Sequence, residues 1–192
     1  MTRRIRALLG VCLLFVLPFG AAAQAQDLRK PMLLVAKPTL QGPYTKTALL
    51  VVAVGDKHIG FILNRATGVT MGKVFPDHAP SAKVVDPIYF GGPEAADSIF
   101  ALVRRDPGAP SLQLFADLFM TGNGQNIDRI IEQTPNDARY FAGFVGWMPG
   151  ELADELEQGC WYAAEPEAAQ VFRPDSASMW EELVRKAKAI QA

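Results

Sequence analysis

The sequence predicts an α+β fold with a mixed, mostly antiparallel sheet. Three observations lead there. Apolar runs of four to seven residues follow one another through the first two thirds of the chain. Many are separated by short turns rich in Gly, Pro, Asn and Asp, which suit hairpins. Helical periodicity is interspersed and clearest near the C-terminal end, so the order is not the regular strand–helix alternation of a doubly wound sheet.

Met32 to Ala36 is an apolar run closed by Lys37-Pro38 and reads as a first strand. Ala48 to Val54 has no polar face, as expected of a strand buried on both sides. Gly55 to His58 is a turn, and Ile59 to Leu63 returns as the second arm of a hairpin. Asn64 and Gly68 tolerate the backbone that ends strands. Val69 to Phe75 fits a short helix, and Pro76 to Asp86 is loop. Ile88 to Phe90 and Ser98 to Val103 are strands, separated by Gly91-Gly92-Pro93. Leu112 to Phe115 and Leu118 to Thr121 are two more. Ile127, Ile130 and Ile131 share one helix face. Tyr140 to Trp147 is a strand of aromatic, small and β-branched residues. Pro149 suits the first turn of a helix that places Leu152 and Leu156 on one face. Trp161 to Ala164 reads as a buried strand. In the last helix, Ser178-Met-Trp-Glu181 has the form of a capping box. Trp180, Leu183, Val184 and Ala187 make its buried stripe, and Glu181 with Arg185 and Glu182 with Lys186 are spaced for ion pairs.

The N-terminus has a different character. Arg3, Arg4 and Arg6 precede an apolar run from Ala7 to Phe19, followed by the small-residue segment Ala21 to Gln26. That is the layout of a signal peptide, with Ala23-Gln-Ala25 as the expected cleavage motif and Ala23 as the alternative end. The run is short of the roughly 20 residues needed to span a bilayer. Residues 1–25 are therefore expected to direct export to the periplasm. Residues 26–192 form one domain, with no stable membrane span after cleavage. Cys12 lies within the apolar run without a small residue before it, which disfavours a lipoprotein.

Removing residues 1–25 leaves 167 residues with 16 basic and 20 acidic side chains, a net charge of −4. This argues against nucleic acid, whose binding requires a basic face. Cys160 is then the remaining cysteine, which excludes an intramolecular disulfide. It is expected to be a small core residue.

Candidate chemistry is sparse. Glu151, Asp154, Glu155 and Glu157 place carboxylates along one helix, the pattern of a solvated face. His58 and His78 sit beside acids in turns, where exposed side chains are expected, and no third ligand completes a metal spacing. Gly91-Gly92 brings backbone N–H groups where an anion could approach, but no Gly-Lys-Ser/Thr follows. No Gly-x-Ser-x-Gly elbow and no Cys-x-x-Cys motif occurs. Arg65 follows a strand and a turn-forming Asn, so it is held where it could take a carboxylate, or pair with an acid of the domain itself.

Four short motifs carry more information. They are Lys37-Pro-Thr-Leu-Gln-Gly-Pro43, Gly60-Phe-Ile-Leu-Asn-Arg65, Phe90-Gly-Gly-Pro93 and Gly143-Phe-Val-Gly-Trp-Met-Pro-Gly-Glu-Leu152. In that order, and with Trp161 and Trp180, they make the chain from Leu33 to about Ala187 resemble the YqgE/AlgH family of bacterial proteins. The resemblance implies a curved, partly barrel-like sheet surrounded by helices. It implies no established enzymatic activity. One member was proposed as a transcriptional regulator, a role that fits poorly with an acidic, exported chain.

The chain also departs from the family pattern. Gly42 stands where Asp is usual, and one residue is missing between Pro43 and Tyr44. Ala66 stands where Pro follows the Asn-Arg pair, Gly146 where a small hydroxyl residue is common, and Glu151 where Gln is common. Most members lack a signal peptide.

Together these readings give a non-enzymatic periplasmic domain that binds a protein partner or small ligand, with no metal and no cofactor. Asn64, Arg65, Gly91 and Gly92 are its candidate ligand-binding residues. The alternatives are an enzyme with an unrecognised site near those same residues, and a cytoplasmic transcriptional regulator.

Overall fold

A computed structural model describes residues 27–191. Residues 1–25 and Cys12 among them lie outside the described residues.

The five residues of β1 (Met32–Ala36) are all buried, because β2 (Ala48–Val54) and β10 (Trp161–Ala164) pair on its two flanks and apolar side chains cover both faces. β2 turns into β3 (Lys57–Ile62) through Gly55-Asp56, with Gly55 at φ +65° as a two-residue hairpin loop needs. β3 pairs with β9 (Ala138–Trp147), the central strand of the domain. Beyond it follow β6 (Glu94–Arg104), β8 (Leu118–Thr121) and β7 (Leu112–Phe115). β4 (Ala66–Thr70) joins β5 (Pro87–Phe90), and β5 lies parallel to β9. The result is an α+β single domain with a curled, largely antiparallel half-barrel sheet.

Apolar side chains fill both faces. One cluster joins Leu33, Val35, Leu50, Phe61 and Phe141 to Val171 of α4 (Ala168–Val171) and Met179 and Val184 of α5 (Met179–Gln191). A second packs Met32, Leu34, Val145, Trp147 and Trp161 against Leu152 of α3 (Glu151–Glu157). A third sets Ile127, Ile130 and Ile131 of α2 (Gly124–Gln133) over Ala101, Val103 and Tyr140, beside Met71 of α1 (Met71–Val74). Burial pushes the Tyr140 phenol up.

β9 holds a feature that its composition conceals. Alternation should send Phe141 and Phe144 to opposite faces. Both pack in or against the first cluster, while Tyr140 joins the third and Val145 and Trp147 join the second. Gly143, at φ +68°, lies where the pairing with β6 shifts register between Glu94 and Ile99. A local irregularity of this kind reverses which side chains face which core.

Several expectations are corrected. Val69–Phe75 divides between the end of β4 and the one-turn α1, and a 3-10 helix (Ala79–Lys83) interrupts the Pro76–Asp86 loop. Pro149 precedes the Gly150 N-cap of α3 instead of entering its first turn. Trp161 is buried, but Ala163 and Ala164 are exposed because β10 is the sheet edge, and Cys160 is only half-buried. The Ser178 hydroxyl lies 2.9 Å from the Asp175 carboxylate and 2.7 Å from that of Glu182, between which its single proton is shared, so a capping box with Glu181 does not form. Glu182 is held by Arg173 at 2.9 Å and not by Lys186.

Candidate functional site

The four sequence-selected residues meet in space. Ile62 N–H donates to the Gly91 carbonyl at 3.0 Å, Phe90 N–H to the Arg65 carbonyl at 2.8 Å, and Gly91 N–H to the Ala142 carbonyl at 2.9 Å. Their side chains, however, are committed to the protein itself. Asn64 accepts from Ala48 N–H at 3.0 Å and donates to the Lys46 carbonyl at 2.9 Å, so it stitches its loop to the start of β2. Arg65 Nη2 donates to the Pro43 carbonyl and, at 3.4 Å, to that of Thr45. The expected pairing with an acid is replaced by bonds to backbone carbonyls, which tie the first motif to the second.

Gly91 and Gly92 are at a chain crossing. β5 lies on one flank of β9 and β6 on the other, at the same residues Phe141 and Ala142. The connection Gly91-Gly92-Pro93 carries the chain between those flanks against the β9 backbone. A Cβ on Gly91 would lie 2.1 Å from the Gly143 oxygen, and one on Gly92 would lie 2.2 Å from the Phe144 carbonyl carbon. A Cβ on Gly143 would in turn meet the Gly92 oxygen at 2.4 Å. Neither Gly91 nor Gly92 has positive φ. Close approach, not backbone handedness, is what requires glycine here.

This crossing delivers Glu94 to the rim of a groove of about 520 Å³ at the end of β9. Val54, Ile59, Phe144, Trp147 and Met148 supply apolar lining, and Lys57, His58, Glu94 and Glu151 are polar. Met148 is 53% exposed and Val54 41%. Gly146 and Ile59 are directly opposed across the β3–β9 pair. With no side chain at 146, the waist of the groove stays open. A Cβ there would find its nearest neighbour, Glu94 Cγ, at 3.5 Å.

A second cleft of about 310 Å³ shares Gly146, Trp147 and Glu151 and continues past Tyr44, Asp154, Glu155 and Gln158. The helix carboxylates are not uniformly solvated as expected. Glu155 accepts from Trp147 Nε1 at 3.1 Å and Trp161 Nε1 at 2.8 Å, joining two buried indoles. Glu151 accepts from Met148 N–H at 2.7 Å and so fixes the turn before α3. Burial, and then the negative charges of Glu155 and Glu94, push the Tyr44 phenol up, with Arg65 opposing.

The histidines are also less exposed than expected. His58 lies in β3 and its Nε2 donates to the Leu28 carbonyl at 2.8 Å, leaving a buried Nδ1 without a partner. His78 Nδ1 is 2.9 Å from Ser81 Oγ, and its Nε2 is 4.0 Å from Glu132. That order of groups is the order of a hydrolytic triad, beside a cleft of about 480 Å³. Yet Ser81 is 0% exposed, and its N–H is taken by the His78 carbonyl at 2.9 Å. With its hydroxyl closed off from solvent, Ser81 is not placed as a nucleophile. Among the described residues, no three His, Cys, Asp or Glu side chains converge to hold a metal.

The groove was not selected from the sequence. Its polar members come from three separated segments, and the signal that pointed nearby was the departure at Gly146 and Glu151 from the family pattern.

Comparison with known proteins bears on the whole chain. The model of a family described as AlgH-like matches residues 33–190. A UPF0301 protein of Chlorobaculum parvum is 30% identical over 159 residues, covering 80% of this chain and 83% of that one. One of Streptomyces coelicolor is 32% identical over 164 residues, covering 80% and 84%. The crystal structure of a Corynebacterium diphtheriae protein superposes with a TM-score of 0.69 at 25% identity, over 84% of this chain and 88% of its own. The solution structure of the AlgH protein of Pseudomonas aeruginosa gives a TM-score of 0.68 at 24% identity, covering 86% and 89%, a likeness of fold.

Proposed function

For a chain that belongs to the AlgH-like family, we propose a non-enzymatic role as a periplasmic binding domain that takes a protein partner or small ligand in the groove at the end of β9. The observation that carries this reading is the apolar groove itself. Met148 and Val54 are large apolar side chains left exposed at its lining, next to half-buried Ile59 and Phe144. Its volume of about 520 Å³ falls in the range of ligand sites, and a few polar groups converge on an otherwise apolar lining. The Arg65 carbonyl accepts from Phe90 N–H, and Gly91-Gly92 then carry the chain across β9 to Glu94. Export to the periplasm rests on the basic, apolar and small-residue order of residues 1–25.

Site-specific photo-crosslinking in the native host tests the binding role. A benzophenone side chain at Met148 is expected to give a discrete adduct, while the same group at Ile190, exposed at 86% on α5, is expected to give none. Equal labelling at both positions, or none at Met148, contradicts the assignment.

A further inference from the structure

We propose that the occupant of the groove is a segment of a partner protein that carries an apolar side chain flanked by lysine or arginine. This rests on the reading of the groove as the binding face and adds the chemistry of what it binds.

Charge complementarity carries the proposal. The two connected clefts are lined by Glu94, Glu151, Asp154 and Glu155, against Lys57 as the one lysine or arginine among their lining residues. His58 is turned away to the backbone, its Nε2 donating to the Leu28 carbonyl at 2.8 Å. The nearby Arg65 is turned to the carbonyls of Pro43 and Thr45. Tyr44 lines the second cleft beside these carboxylates, and burial, then the charges of Glu155 and Glu94, push its phenol up against the opposing effect of Arg65. Clefts lined by one sign of charge focus the field and favour the oppositely charged partner during encounter.

The shape points to a chain segment in place of a lone small cation. The carboxylates are spread along two contiguous clefts that share Gly146, Trp147 and Glu151. Three of them lie along α3, and among the described residues no three acidic, His or Cys side chains converge on one small cation. The lining between them is apolar, so an uncharged side chain is required where Gly146 leaves space beside Phe144, whose Cε2 would stand 3.8 Å from a Cβ at 146. A peptide places an apolar side chain there and cations on either side.

The test uses the mature protein and three fluorescein-labelled peptides, GKLFKLKG, GSLFSLSG and GELFELEG, in an anisotropy titration. The lysine peptide is expected to bind about tenfold more tightly than the serine peptide at low salt, with the gap closing as ionic strength rises. Glu94 and Asp154 are exposed, so Glu94→Gln with Asp154→Asn removes charge without disturbing the core. That variant is expected to lose most of the lysine peptide's preference over the serine peptide. Gly146→Leu is expected to block all three, with its thermal midpoint as the control for folding.

Serine- or glutamate-peptide binding as tight as lysine-peptide binding overturns the proposal, as does a preference that survives the charge-removed variant. So does the absence of lysine-peptide binding. If Gly146→Leu still blocks the uncharged peptide, or Met148 still crosslinks in the cell, the groove assignment stands and the cationic partner alone is lost. If the lysine peptide binds the Gly146→Leu protein as well as the wild type, the groove assignment fails with it.

Discussion

Gly91 is informative because it has no side chain to place. A Cβ would lie 2.1 Å from the Gly143 oxygen, far inside contact distance, and the obstacle is backbone that has no rotamer to give. Gly91→Val is expected to lower stability by about 3 kcal/mol in urea melts, at the upper end of overpacking costs. Trp161→Ala is expected to cost ~3–5 kcal/mol, because it empties a buried site and removes one of the two indole donors to Glu155. Arg65→Ala is expected to cost about 1 kcal/mol, since its bonds to the Pro43 and Thr45 carbonyls lie near the surface. An unchanged midpoint for Trp161→Ala contradicts the second core cluster. The sequence marked Gly91, Trp161 and Arg65 as residues of interest, but not what each one touches. Trp161 is legible because a large ring in an apolar run has few places to go. The partners of Gly91 and Arg65 lie about 20 to 50 positions away in sequence, at Pro43, Thr45 and Gly143, and periodicity carries no information over that distance.

At the scale of elements, hairpins were legible and irregular joints were not. β7 and β8 fall where their apolar runs stand, because a short run closed by turn residues has one easy structure. β9 was legible as a strand, yet the reversal at Gly143 was hidden, since a lone glycine in an apolar run does not announce positive φ. At the start of α5, a local capping rule lost to a tertiary partner. Arg173 reaches Glu182 through two bonds of 2.9 and 3.0 Å, and Ser178 adds a third at 2.7 Å. Hydrogen bonds from Arg173, then from Ser178, hold the Glu182 carboxyl down at about 2. A folded-state value below the unfolded one means that this contribution is present above the ordinary carboxylate range, and is lost as pH falls through about 2. The stability difference between pH 6 and pH 2 is therefore expected to shrink in Arg173→Met relative to wild type. An equal acid loss in both proteins contradicts the pairing.

For the whole molecule, the two ends of the account are export and binding. The mature chain is expected to begin at Gln26, which N-terminal sequencing of protein purified from the host's periplasm checks, and an intact Met1 contradicts it. With 16 basic and 20 acidic residues after cleavage, fluorescence anisotropy is expected to show no duplex DNA binding at physiological salt. Between these ends, the fold converts four separated motifs into one support. The Asn64–Arg65 turn anchors the loop at Pro43, the paired glycines pass the chain across β9, and β9 ends in the open groove at Gly146 and Met148. The most direct measurement of this account is photo-crosslinking at Met148 in cells, with and without Gly146→Leu. Position 146 is exposed and its φ is not positive, so the substitution fills the groove with little strain. The account predicts a discrete Met148 adduct that disappears in the Gly146→Leu protein while its thermal midpoint stays near that of wild type. An adduct that persists with the groove filled contradicts it.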